Sequence, residues 1–300
     1  MKFTICIPTL NARDTWAEFS AALRDQSAMP DEVIVIDSES EDGTAEIAER
    51  DGFRVIRIAR RDFRHGATRQ FADEIAADSE VLVYLTQDAI LASRDSLSVL
   101  LRAFEDPEVG AAYGRQLPRK GAKPIETHAR IFNYPPISDL RSANSIEMLG
   151  FRTIFFSNSF GAYRRSALRA VGGFPLNVDF GEDTVVAARL ILAGQKIAYV
   201  AEAPVFHSHD YNWRHEFQRY KSVGKLHAEH AWLLRDFGGV SGEGMRFVRT
   251  EVQSLLKCAP YLIPRALLRT VCKYLGYRLG RMKGASAQER TKEFAKSVER

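Results

Sequence analysis

Five apolar residues, Val81-Leu82-Val83-Tyr84-Leu85, run without a break into Thr86-Gln87-Asp88-Ala89. A strand with no polar side cannot lie on a half-solvated sheet, so it must be covered on both faces, as in a layered α/β structure. Its neighbours agree. Residues 3–7 form an apolar run followed by 14–26, where Trp16, Phe19 and Leu23 recur at helical spacing; 33–36 is followed by 44–49, 55–58 by 68–77, and 81–85 by 96–104. This alternation predicts a Rossmann-like α/β fold with a parallel, doubly wound central sheet flanked by helices. Chain length and 45% hydrophobic content suffice for one large domain of this class with an appendage.

The loops carry the polar chemistry. Pro8-Thr9-Leu10-Asn11, the acidic loop from Asp37 to Gly43, and Arg64-His65-Gly66 all fall at the predicted carboxyl edge of the sheet, where open α/β sheets bind ligands. Asp88 ends its strand at the same edge, where a carboxylate is either a turn former or a holder of a divalent cation against a diphosphate. Asp37 is likewise either the opener of an Asx turn or an acceptor for a base or ribose, and Arg69 can pair with phosphate. Glu182-Asp183 stand before a helical pattern, either as a cap or as carboxylates held ionised by the helix dipole and ready to take a proton. His207 and His209 close a late strand; alternation would put them on opposite faces, so that one of them faces an ion.

Other classes are excluded or disfavoured. No GxGxxG follows the first strand, so a dinucleotide-binding site is unsupported, and no GxxxxGK[ST] occurs anywhere, which excludes the P-loop. Three cysteines, Cys6, Cys258 and Cys272, have no metal-type spacing and favour a reducing compartment, the cytosol. The N-terminus reads as a strand rather than a signal peptide, and no run is long and apolar enough to span a bilayer. Charge is uneven: Lys257, Arg265, Arg269, Lys273, Arg278, Arg281 and Lys283 occur between Val252 and Gln288 with no acid, although the whole chain carries only +4. Concentration of the cations in one tail, with no recognised nucleic-acid module, argues against a nucleic-acid partner. Arg265, Arg269 and Lys273 recur every fourth residue with Leu267, Leu268, Val271, Leu275 and Leu279 opposite. Such a helix would lie on an anionic membrane surface, pack on the remaining chain or mediate a homodimer.

Several segments in order carry a family resemblance: Pro8-Thr9-Leu10-Asn11, Asp37 through Thr44, Phe63 through Arg69, Thr86-Gln87-Asp88-Ala89, Tyr113-Gly114-Arg115-Gln116, Phe132-Asn133-Tyr134-Pro135, Ser157-Asn158-Ser159-Phe160, Gly172-Gly173-Phe174-Pro175, Glu182-Asp183 and His207-Ser208-His209. Over residues 1–235 this set resembles the inverting glycosyltransferases of family 2 with the GT-A fold, and within them the bacterial rhamnosyltransferases that use dTDP-L-rhamnose. The resemblance implies that Thr9, Asp37, His65, Arg69, Gln87 and Asp88 bind the nucleotide sugar. It also implies that Asp88 and His207 hold Mg²⁺ or Mn²⁺, Asn158 and Glu182 face the acceptor, and Asp183 is the base. The chain thus reads as a GT-A catalytic domain at 1–235, with a nucleotide-sugar-binding half at 1–117 and an acceptor-binding half at 118–212, followed by a basic amphipathic helical region at 236–300 that carries no motif of the family.

Two departures stand out: Thr86 occupies the first position of the family's Asp-x-Asp, and Gln70 replaces an expected Asn. The implied reaction is transfer to a hydroxyl of a bacterial surface glycan, such as lipopolysaccharide core, O-antigen or exopolysaccharide, on a lipid-linked acceptor. The enzyme would be cytoplasmic, peripheral on the inner membrane. The competing expectations are a family 2 enzyme that uses a UDP- or GDP-linked sugar, and a non-catalytic glycan-binding protein.

Overall fold

The structure, a computed structural model, describes residues 1–298 apart from Asp179, Asp210 and Val240, with the side chains of Ser241 and 286–298 also outside the description. It divides into two compact units, one of residues 1–121, 130–178 and 182–208, the other of 122–129, 179–181 and 209–300.

The first unit opens as the periodicity predicts: β1 (Phe3–Thr9), α1 (Arg13–Arg24), β2 (Glu32–Asp37), α2 (Thr44–Arg50), β3 (Arg54–Arg57), α3 (His65–Ile75) and β4 (Val81–Leu85). β5 (Ile90–Leu91), α4 (Ser96–Arg102) and β6 (Val109–Leu117) follow. Next come α5 (Pro124–Asn133), β7 (Asp139–Arg141), α6 (Ile146–Leu149), β8 (Phe160–Arg164), α7 (Arg165–Ala170), α8 (Glu182–Leu192) and β9 (Lys196–Phe206). Every residue of β4 is buried, as its lack of a polar side requires. Trp16, Phe19 and Leu23 put one face of α1 into the same core as Ile5, Ile7 and Val83.

The sheet runs β3-β2-β1-β4-β8-β6-β9-β5, with β7 alongside β9. The first four strands are parallel. β8 then enters antiparallel between β4 and β6, so the sheet is mixed rather than uniformly parallel. That insertion builds the site. β6 and β9 again run with β4, so the carboxyl ends of β1, β2, β4, β6 and β9 share one edge, and the amino end of β8 arrives there too, with Phe160 beside Leu85. The order reverses between β1 and β4, the switch point at which such sheets open a crevice.

The second unit contains α9 (Trp213–Glu229), α10 (Trp232–Phe237), α11 (Ser241–Cys258) and α12 (Ile263–Val298). The chain breaks at Gly238, whose φ of 78° suits glycine, whereas Gly242 and Gly244 lie inside α11. α9 and α12 meet backbone to backbone. A Cβ on Gly276 or Gly280 would collide with the carbonyls of Phe217 and Lys221, and one on Gly224 with that of Tyr277. Glycines four apart on α12 therefore set how closely these helices approach.

The basic stripe of α12 does not face outward as its spacing suggested. Arg269 is buried, with its guanidinium 2.5 Å from Glu216 on α9, and Lys273 lies 3.5 Å from the same carboxylate. A buried carboxylate requires cations, and two of the three stripe residues turn inward to supply them. Leu267, Leu268, Val271 and Leu275 are correspondingly exposed.

Candidate functional site

Two loops meet at the switch point. Gln87 holds both, accepting from Leu10 N at 2.7 Å and donating to Leu10 O at 2.9 Å. Beside it, Thr9 donates to Asp37 Oδ2 at 3.0 Å. Asp37 also accepts from Ser40 N at 2.9 Å and from Ser40 Oγ at 2.5 Å, so the Asx-type turn is present. Asn11 and Glu39, in the loops after β1 and β2, have φ of 49° and 56°, a left-handed conformation that the surrounding bonds must maintain. Thr9, Asp37 and Gln87 thus stand together at the carboxyl edge of β1, β2 and β4, where their side chains build the loops.

A second cluster forms where the first turn of α3 meets that of α8. Gly66 permits this, because a Cβ there would strike the carbonyl of Pro175. Arg69 is 2.9 Å from Glu182, and both side chains are almost wholly buried. His65 Nδ1 lies 3.2 Å from the same guanidinium; arginine only donates, so this ring nitrogen is the acceptor. Arg69 therefore does not offer its charge to an open cleft, as expected of a phosphate ligand, but spends it on Glu182.

Asn158 joins the cluster by donating from Nδ2 to Glu182 at 2.9 Å and accepting from the Tyr163 hydroxyl at 2.8 Å. Asp183, partly exposed, accepts from Thr184 N at 2.7 Å and from Asn158 N at 3.3 Å. Burial raises Glu182's affinity for a proton, but the Arg69 charge, together with the hydrogen bond from Asn158, outweighs it and holds the carboxyl below its ordinary value. Burial and then the adjacent Glu182 charge push Asp183 up to about 7. Side by side, one acid is fixed as an anion and the other is poised to exchange a proton near neutrality.

If Asp183 is the base that the resemblance implies, it works deprotonated, and turnover should rise with pH through about 7 and level off above it. Glu182→Gln removes one of the charges that raise Asp183, so its acid limb should move to lower pH; a pH–rate profile that does not move would detach the limb from this pair.

The third cluster surrounds Asp88. His207 Nε2 is 3.4 Å from Asp88 Oδ2, and among the described residues this pair belongs to the one group of His, Cys, Asp and Glu side chains close enough to share an ion. β9 ends at Phe206, so strand alternation does not govern the two histidines that follow. His207 is buried beside Asp88, while His209 belongs to the second unit and stacks on Tyr211 at 4.9 Å.

The protonation of His207 can be read from its neighbours. Arg130 donates to Gln116 Oε1, which fixes that atom as the amide oxygen, and Gln116 Nε2 donates to Ser157 at 2.9 Å. His207 Nδ1 lies 2.9 Å from the same oxygen and so must carry the hydrogen. A neutral His207 then turns the lone pair of Nε2 toward a carboxylate. Burial favours that neutral form more than Asp88 opposes it. Two electron-rich atoms set this way fit a divalent cation.

Arg130, Gln116 and Ser157 are positioning groups that the sequence did not single out by role. The signals were Gln116 at the end of one ordered motif and Ser157 at the start of another. Ser157 precedes Asn158, so the Asp88 and Asp183 clusters share one short segment of chain. Arg119 also reaches the Asp88 loop, donating to Asp88 O at 2.5 Å.

Known proteins resemble this chain in sequence and in fold. The profile of Glycosyl transferase family 2 matches residues 4–172. The chain is 49% identical over 282 residues to the O-antigen chain rhamnosyltransferase RfbN of Salmonella typhimurium, covering 94% of this chain and 90% of that one. It is also 49% identical over 280 residues to the O-antigen chain rhamnosyltransferase WbaN of Salmonella anatum, covering 93% and 89%. Among solved structures, the mannosyltransferase PcManGT of Pyrobaculum calidifontis, in complex with GDP-Man and Mn²⁺, superposes with a TM-score of 0.53 at 19% identity, covering 98% of this chain and 80% of that one. At that identity the likeness concerns the fold.

Proposed function

The chain belongs to glycosyl transferase family 2, and from that premise we propose that it moves L-rhamnose from dTDP-L-rhamnose to a hydroxyl of an O-antigen glycan with inversion. The observation that carries the reading is the buried Arg69–Glu182 pair set against Asp183, which produces one carboxylate able to accept a proton at neutral pH. The high identity to two proteins named as O-antigen chain rhamnosyltransferases supports the sugar and the glycan class.

In this reading Thr9, Asp37 and Gln87 receive the nucleoside, and Asn158 and Glu182 line the acceptor side. Asp183 takes the proton of the acceptor hydroxyl as its oxygen attacks the anomeric carbon and the bond to the diphosphate breaks. Asp88 and His207 would hold Mn²⁺ or Mg²⁺; when bound, such an ion neutralises charge on the departing diphosphate. Arg119 is the cation we assign to the phosphates in place of Arg69. A carboxylate with an imidazole suits Mn²⁺ better than Mg²⁺, which prefers an all-oxygen octahedron. A lipid-linked acceptor would place the enzyme on the cytoplasmic face of the membrane.

The test is nucleoside diphosphate release with a panel of dTDP-, UDP- and GDP-linked sugars. Turnover should be greatest with dTDP-L-rhamnose, stop in EDTA, and return with Mn²⁺ more fully than with Mg²⁺. Asp88→Ala should not recover with either ion and should bind Mn²⁺ at least about tenfold more weakly by titration calorimetry. Full activity in EDTA would leave charge neutralisation to Arg119, and preference for a UDP- or GDP-sugar would replace the donor.

A further inference from the structure

We propose that the outward face of α12 is a docking surface for an anionic lipid bilayer, with the leucine side rather than the arginine stripe entering the interface. Leu267, Leu268, Val271, Tyr274 and Leu275 are each between 45% and 58% exposed. They recur at spacings of three and four, so they form one continuous strip, not scattered surface residues. The opposite side of the helix is already committed. Ala266, Arg269, Gly276 and Gly280 are buried within the second unit, and rotating the helix to bring Arg269 outward would strip Glu216 of its cation.

The charges around the strip identify its occupant. Arg265, Arg278, Arg281 and Lys283 are exposed beside it, and no acid occurs from Val252 to Gln288. In a two-fold dimer through this patch, each copy would set the same cations against their equivalents. An anionic bilayer offers the opposite charge together with an apolar interior for the leucines. Tyr274, and Tyr261 at 78% exposure in the turn before the helix, are of the type that settles at the headgroup level. Among the described residues no helix is long and apolar enough to cross a membrane, so attachment would be from one side.

The benefit of this surface rests on the lipid-linked acceptor of the proposed function, but its chemistry can be tested without any sugar. Full-length protein is sedimented with phosphatidylcholine vesicles made with and without phosphatidylglycerol. Wild type should bind only the phosphatidylglycerol vesicles, and less at high salt. Leu268→Asp/Leu275→Asp should reduce binding by about tenfold or more while turnover on a soluble acceptor is unchanged. The proposal is overturned if wild type ignores the anionic vesicles at low salt, if the double variant binds as wild type does, or if light scattering shows a wild-type dimer that these substitutions dissolve. Vesicle binding without transfer would reject the enzymatic reading and leave this one standing.

Discussion

Asp183→Asn is expected to lower turnover by roughly two to four orders of magnitude while leaving nucleotide-sugar affinity intact. The amide has nearly the shape of the carboxylate and can keep its oxygen toward Thr184 N, so the amino-terminal turn of α8 should survive. What it loses is basicity. The second carboxylate, Glu182, cannot substitute, because Arg69 and Asn158 occupy it within the buried cluster. Single-turnover transfer alongside calorimetric donor binding separates the two effects. Transfer near the wild-type rate would place the base elsewhere.

Arg69→Leu should destabilise the fold by about 3–5 kcal/mol, since it leaves the buried Glu182 carboxylate without its cation. A surface ion pair would be worth a fraction of that. The double variant Arg69→Leu/Glu182→Leu should regain much of the loss, because two apolar side chains remove the uncompensated charge instead of exposing it. Urea denaturation of the two variants and wild type checks this. If Arg69→Leu costs under about 1 kcal/mol, the pair is better solvated than its burial indicates.

The amino-terminal half was legible because its signals are local. Apolar runs and helical spacing define 81–85 to the residue and the other early elements to within a few residues, and turn chemistry marks the carboxyl-edge loops. β8 was not legible as a strand. Phe160-Gly161-Ala162-Tyr163 is short, contains a glycine, and is stabilised by two neighbours far away in sequence rather than by its own periodicity. The same long-range character concealed the partner of Arg69. A guanidinium at a ligand-binding edge suggests phosphate, and only the fold reveals its pairing with Glu182. For α12, spacing correctly separated a basic side from an apolar side but could not say which faced inward; a single buried acid on another helix, Glu216, decides it.

The glycine seam between α9 and α12 bears on how chains of this kind can be recombined. A boundary drawn by sequence, near 235, divides a catalytic part from a tail. In space, however, α9 on one side of that line is fitted to the backbone of α12 on the other. A chimera that exchanged only the tail would present α9 with a helix whose side chains occupy the positions of Gly276 and Gly280. Modules exchanged between relatives should therefore carry Trp213–Glu229 and Ile263–Val298 together, as one inherited piece.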